Sequence, residues 1–310
     1  MPSVFIDGEA GTTGLEIRQR LARLPIDVHA IRPDLRKDPD ARRALMANVD
    51  VAILCLPDDA AREAVAIAET LGTNAPRILD ASTAFRTDPG WAYGFPELNH
   101  KQLERVSYAP RVTNPGCYAQ GAIGLLRPLV DAGLIPVDYP VTINAVSGYS
   151  GGGRAMIEAH EKDGGPAFEL YALGLSHKHV NEIVFYAGLT RRPLFVPSVG
   201  HFRQGMLVSI PLHLEMLPGK PSGADLQAAL AAHYRDSRHV KVAALDGVAR
   251  LEATALNHTD VMELFVFTNA AHSHAVLVAR LDNLGKGASG AAVQNLLLML
   301  GLAEESAPHG

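Results

Sequence analysis

Short apolar runs and helically spaced segments take turns along the first part of the chain. Val4-Phe5-Ile6-Asp7 is an apolar run broken by the glycines at 8, 11 and 14. Residues 15–21 then place apolar side chains at helical intervals, so the opening predicts strand, glycine turn and helix. Residues 27–32 predict a second strand, 41–46 a helix, 51–56 an apolar strand stopped at Pro57, 60–71 an Ala-rich helix and 77–80 a further strand. Strands that alternate with helices in this way require a parallel sheet with crossover helices. Beyond about residue 140 the texture changes to longer alternating runs at 140–146, 205–212, 262–267 and 275–281, which predict a mixed or antiparallel sheet. Residues 291–300 predict a buried helix, and the chain from Glu304 a frayed tail. The Gly- and Pro-rich stretches at 147–153 and 162–166 read as loops or surface turns.

Composition narrows the class. A length of 310 residues with 47% hydrophobic residues suits two packed domains, or one large one. With 28 Lys+Arg against 33 Asp+Glu the net charge is −5, which excludes a nucleic-acid binder working by bulk positive charge. The two cysteines, Cys55 and Cys117, lie far apart and form neither a disulfide framework nor a CxxC zinc site, so a reduced, cytoplasmic setting is expected. No basic region followed by an apolar stretch opens the chain, and no apolar run approaches the ~18–20 residues of a membrane span; a soluble, unexported protein is expected.

Gly8, Gly11, Thr12, Thr13 and Gly14 lie in the turn between the first strand and first helix. Missing side chains there let backbone approach a pyrophosphate, and the helix N-terminus offers free N–H donors, so a dinucleotide is expected; the spacing is GxxGxxG rather than GxGxxG. An NAD enzyme usually ends its second strand in an acid that holds the ribose 2′-hydroxyl. Here the sequence is His29-Ala30-Ile31-Arg32-Pro33, and Arg32 suits a 2′-phosphate, which favours NADP.

Asn114-Pro115-Gly116-Cys117 precedes another apolar-periodic run, with Asn114 as the expected cap and Pro115 as the expected first helical residue. Cys117 then falls in the first turn, where the helix dipole and unpaired N–H groups stabilise a thiolate and the oxyanion of an adduct formed at sulfur. Cys55, inside an apolar run, reads as a small buried hydrophobe. An acyl-forming thiolate needs an acid/base partner. His177, His179 and His201 are the candidates, and residue spacing does not choose among them. Spacing marks out no third ligand beside His177 and His179, so no metal is expected.

Taken in order, the segments at 8–14, 80–86, 93–98, 114–118, 147–153, 177–179 and 286–290 resemble N-acetyl-gamma-glutamyl-phosphate reductases, the shorter type 2 subfamily in particular. The resemblance runs from the first strand to the last helix and departs at Asn181, where many members carry proline. It implies an α/β fold of the glyceraldehyde-3-phosphate and aspartate-semialdehyde dehydrogenase kind. A Rossmann-type parallel-sheet NADP-binding domain (1–116 plus 285–310) would be joined to an α+β mixed-sheet catalytic and oligomerisation domain (117–284). The implied activity is NADPH-dependent reduction of N-acetyl-glutamyl 5-phosphate to the 5-semialdehyde, with release of phosphate, in arginine biosynthesis. Cys117 would form a thioester and His177, with His179 next, would supply the proton. His201 is a third choice, because its context is similar to the histidine motif of aspartate-semialdehyde dehydrogenases. Ser82 belongs to the cofactor-binding set. Arg86 is the candidate for the substrate phosphate, because a guanidinium fork matches its oxygens, and Arg154 for the substrate carboxylate. A homodimer or homotetramer is expected.

Other readings predict different behaviour. A related acyl-phosphate reductase would act on aspartyl phosphate or on a substrate carried by a partner protein. A non-catalytic NADP-binding sensor would bind without turnover and leaves Cys117 without a task. A cysteine hydrolase would bind no nucleotide and leaves the glycine turn unexplained.

Overall fold

A computed structural model describes residues 1–245 and 248–303. The tail from Glu304, expected to fray, lies outside the described residues. The chain divides into two compact units, Met1–Pro115 together with the chain from Ala288, and Gly116–Gly287.

The first unit follows the predicted alternation. Its elements are β1 (Ser3–Asp7), α1 (Thr12–Leu21), β2 (Asp27–His29), α2 (Pro39–Met46), β3 (Val51–Leu54), α3 (Asp58–Glu69), β4 (Arg77–Asp80), β5 (Ala92–Tyr93), α4 (Gln102–Tyr108) and β6 (Arg111–Thr113), with a closing helix at Gly290–Leu300. The six strands form one parallel sheet in the order β2-β1-β3-β4-β6-β5. Successive side chains on a strand point to opposite faces, which accounts for two separate cores. Val4, Ile6, Val51 and Ile53 pack with Ile17 and Leu21 of α1, Val106 of α4 and Leu296 of the closing helix. Phe5, Ala52 and Leu54 pack on the other face with Met46 of α2 and Ala61 and Ala64 of α3. The second strand is shorter than the predicted 27–32. It stops at His29, and the Leu35 N–H donates to the Arg32 carbonyl at 2.9 Å, closing a turn through Pro33 and Asp34.

The second unit begins with α5 (Cys117–Asp131) and continues through β7 (Thr142–Gly148), α6 (Gly153–Asp163), β8 (Phe168–Leu170), α7 (Val180–Ala187), β9 (Leu194–Gly200), β10 (Met206–His213), α8 (Gly223–His233), β11 (Val240–Val242), β12 (Met262–Asn269) and β13 (His274–Leu281). These strands form a mixed sheet in the order β11-β12-β13-β10-β7-β9-β8. Pairings β10–β13, β10–β7, β12–β13 and β8–β9 are antiparallel, while β7–β9 and β11–β12 are parallel. Ser147 and Gly148, expected in a loop, complete β7.

Helix α5 packs on β10 and β13. Its approach is close because Gly121 has no side chain: a Cβ there would stand 2.9 Å from Val208 Cγ2. Pro128 within α5 lacks the N–H that would bond the Gly124 carbonyl. The Tyr234 hydroxyl donates to that carbonyl at 2.9 Å instead, so the buried acceptor is satisfied.

Candidate active site

In the first unit the glycine turn lies at the carboxyl ends of β1, β3 and β4. Gly8 adopts φ +88°, and a Cβ there would fall 2.3 Å from the Cys55 carbonyl oxygen. A Cβ on Gly14 would lie 2.7 Å from the Gly8 oxygen and 2.8 Å from Glu9 Cα. The turn therefore demands glycine at both positions. Gly11 is the N-cap of α1 with no side-chain cap, and no acid occupies the first turn, so the backbone N–H groups at Thr12, Thr13 and Gly14 head a helix suited to an anion. These residues fit a dinucleotide pyrophosphate.

Charge beneath the turn is internally compensated. Asp7 is buried and takes two contacts from the buried Arg42, Nε at 2.9 Å and Nη2 at 2.7 Å. Burial pushes the Asp7 carboxyl up and Arg42 pulls it back. Asp80, fully buried, is pushed up to about 6 by desolvation and accepts from the Ser82 hydroxyl at 2.7 Å. Ser82 therefore turns its hydroxyl inward to brace the loop after β4. Cys55 is pushed up to about 12 by burial and by Asp80 and Asp7, which makes it an inert thiol.

The two candidate ligand arginines of this unit differ. Arg32 is exposed beyond the strand end, with its fork on Asp34 at 3.2 Å (Nε) and 2.7 Å (Nη2). Arg86 is buried, with Nη2 3.4 Å from the Ala81 carbonyl.

In the second unit, Cys117 is the first residue of α5, and its N-cap is Gly116 (φ −75°, ψ 143°) without a side-chain cap. The sequence placed the start two residues earlier. Asn114 does not cap: its side-chain amide donates to the Ala288 carbonyl at 3.0 Å, and its oxygen accepts from Asn295 at 3.1 Å. The residue that does serve the helix start is Glu182 of α7, which is 1% exposed and accepts from the Gly116 N–H at 3.1 Å. Gly287, in a π-helical turn at Gly285–Ser289, packs against the cysteine; a Cβ there would be 2.9 Å from Cys117 Cβ.

His177 and His179 are brought together, with ring centroids 4.6 Å apart, and both stand beside the Tyr118 ring at 5.9 Å. Phe195 closes on His177 at 5.1 Å. The His179 backbone N–H donates to His177 Nδ1 at 3.1 Å, which leaves the proton of a neutral ring on Nε2. His177 Nε2 lies 3.3 Å from the Tyr171 hydroxyl. Tyr171 in turn hydrogen-bonds Tyr118, whose hydroxyl donates to the Ser198 carbonyl at 2.9 Å. Burial, the largest cause, pushes Tyr171 up to about 12, and the nearby Cys117 adds to the rise; burial raises Tyr118 further. Both phenols therefore stay protonated.

Tyr171 and Glu182 are site residues that motif reading missed. His201 is placed elsewhere in this unit, its Nδ1 3.0 Å from that of His160 and its ring near Tyr149. Arg154 is exposed in the first turn of α6. Asn181 lies in the first turn of α7 and accepts from Arg192 at 3.2 Å.

Residues 27–106 match the semialdehyde dehydrogenase NAD binding domain and residues 117–283 the semialdehyde dehydrogenase dimerisation domain. The chain is 53% identical over 307 residues to N-acetyl-gamma-glutamyl-phosphate reductase 2 of Pseudomonas putida, covering 97% of each chain. It belongs to the N-acetyl-gamma-glutamyl-phosphate reductase family. A second reductase of the family, from Trichormus variabilis, is 52% identical with 98% of each chain covered. Among solved structures, the aspartate semialdehyde dehydrogenase of Francisella tularensis superposes with a TM-score of 0.73 at 12% identity, covering 97% of this chain and 100% of that one. Aspartate semialdehyde dehydrogenase II of Vibrio cholerae gives 0.68 at 17% identity, covering 97% and 98%. At such identities these neighbours share the fold with the reductase family and nothing more specific. Among the described residues no helix is long and apolar enough to cross a membrane.

Proposed function

We propose that this chain is an NADPH-dependent reductase that converts N-acetyl-L-glutamyl 5-phosphate to N-acetyl-L-glutamate 5-semialdehyde with release of phosphate, through a thioester on Cys117, in arginine biosynthesis. The observation that carries this reading is the cysteine at the first position of α5, in a unit whose histidine pair is locked by aromatic neighbours, within a chain 53% identical to a reductase of that name.

The helix N-terminus favours the thiolate, which attacks the acyl carbon, and the acyl-oxygen bond to phosphate breaks. Backbone N–H groups at the start of α5 would receive the oxyanion of the tetrahedral adduct. The chemistry that NADPH would supply, when held by the first unit, is a hydride for reduction of the thioester. His177 delivers the proton that the thiohemiacetal oxygen takes up, and as the carbon–sulfur bond breaks to give the aldehyde and the thiolate that hydroxyl proton returns to His177. His179 holds the His177 ring by Nδ1, and the Nε2 proton, which rests on the Tyr171 hydroxyl, would transfer from there to the substrate oxygen. Gly8, Gly11, Thr12, Thr13 and Gly14 would hold the pyrophosphate, Ser82 braces the loop beside them, and Arg32 would leave Asp34 to meet the 2′-phosphate. Arg86 binds the leaving phosphate and Arg154 the substrate carboxylate. The match to a dimerisation domain supports a homo-oligomer, which on this reading is a dimer or tetramer working in the cytoplasm.

The experiment runs the reaction backward with semialdehyde, NADP and phosphate. NADPH formation that requires phosphate and vanishes in Cys117→Ser supports the proposal. Nucleotide binding without turnover would refute it.

A further inference from the structure

Among the described residues, one cluster of metal-ligating side chains lies outside the site described above. His213 and His274 are direct partners at the ends of β10 and β13, and their rings stand 4.9 Å apart. Glu215, two residues beyond His213, brings Oε1 to 3.7 Å from His213 Nδ1. One ligand atom from each of His213, Glu215 and His274 lies within 4.8 Å of the others. We propose that these three residues form a binding site for a divalent transition-metal ion of the zinc class.

The donor set is suited to that class. Two imidazoles and a carboxylate fit zinc, cobalt or nickel, whereas magnesium and calcium require mostly oxygen. Tetrahedral zinc, with donors at ~2.0–2.2 Å, places its ligand atoms about 3.4 Å apart. With every separation within 4.8 Å, the ligand atoms must close by at most about 1.4 Å, within the reach of exposed side chains turning about χ1 and χ2.

The backbone beneath the ligands is already fixed. The β10–β13 ladder sets the two histidines opposite one another, and the Leu214 N–H donates to the Ser273 carbonyl at 2.7 Å, tying the turn that carries Glu215 to the one before His274. Ser273 holds this turn at φ +51°. The His272 ring lies 5.9 Å from that of His274, so a fourth ligand can come from His272 or from water. Binding would clamp the end of β10 to the start of β13 in the middle of the mixed sheet, so the metal's effect is to stabilise this unit.

Zinc binding to the full-length, chelator-treated protein tests the site by calorimetry, with thermal unfolding as a second readout. One zinc per chain should bind at this site with a rise in Tm, and His213→Ala and His274→Ala should each weaken it at least tenfold while activity without zinc stays normal. Glu215→Gln should weaken it less. Cys117→Ser, which removes the competing thiolate, should leave this site intact, and bound cobalt should show no thiolate charge-transfer band. Zinc affinity unchanged in both histidine variants, or lost in Cys117→Ser, would overturn the proposal.

Discussion

Removal of Glu182 tests how the second unit presents its cysteine. The carboxyl group is 1% exposed and accepts from the Gly116 N–H at 3.1 Å, at a helix start that no local side chain caps. In Glu182→Ala the N–H stays buried without that acceptor, at a cost of about 1–3 kcal/mol. The space vacated by the side chain adds about 1 kcal/mol. A total of roughly 2–4 kcal/mol in a unit of this size corresponds to a fall in Tm of about 5–12 °C. Calorimetric unfolding measures this directly, and alkylation by iodoacetamide reports whether Cys117 still occupies the first turn of α5. Glu182→Gln keeps an acceptor oxygen and should recover at least half of the loss. A Tm for Glu182→Ala within about 1 °C of the parent, with unchanged alkylation, would refute the role assigned to this carboxyl group.

His177→Asn should lower kcat by about 10²–10⁴-fold while Cys117 remains alkylatable, and loss of alkylation instead would point to a structural role. Tyr171→Phe, which removes one neutral hydrogen bond to His177, should cost about fivefold in kcat with little change in KM, and an unchanged kcat would contradict the ring-holding role. Gly287→Ala places a methyl 2.9 Å from Cys117 Cβ and 3.0 Å from the Asp282 carbonyl oxygen, so kcat should fall at least tenfold; normal kinetics would show that the cysteine has room to move. Burial lifts the Asp80 carboxyl from 3.8 to about 6, so the folded protein holds this proton more tightly than the unfolded chain. Asp80 therefore opposes folding above pH 6, and relief of roughly 3 kcal/mol arrives as pH falls through about 6 towards 4. Urea titrations should show the parent gaining stability relative to Asp80→Asn across that window, and a constant difference would contradict the assignment.

Local signals carried the first unit well. The glycines before α1 and the apolar runs at β1, β3 and β4 are punctuated by residues whose backbone preferences leave few alternatives, and Gly8 and Gly14 proved to be positions where a Cβ would strike backbone. The end of β2 was less legible, because Ile31 and Arg32 look extended by residue type while the chain turns through the Arg32–Leu35 bond. Asn114 has every local feature of a cap. Its partner, Ala288, lies 174 residues away, and that contact moved the start of α5 to Cys117. Glu182 reaches Gly116 across 66 residues, and no periodicity announces such a contact. The histidines show both outcomes: His177 and His179 are neighbours in sequence and in space, whereas His201 and His213 have partners, His160 and His274, that only the packing of α6 and the β10–β13 register reveal.

The central claim is the covalent thioester on Cys117, and one rapid-mixing measurement addresses it most directly. Enzyme is mixed with N-acetyl-glutamate semialdehyde and NADP without phosphate, NADPH is followed optically, and the quenched protein is digested for mass spectrometry. The account predicts one NADPH per active site in a single burst, an N-acetyl-glutamyl mass on the Cys117 peptide, and steady turnover only after phosphate is added. Steady turnover without phosphate, or a burst with no acyl mass on Cys117, would contradict it.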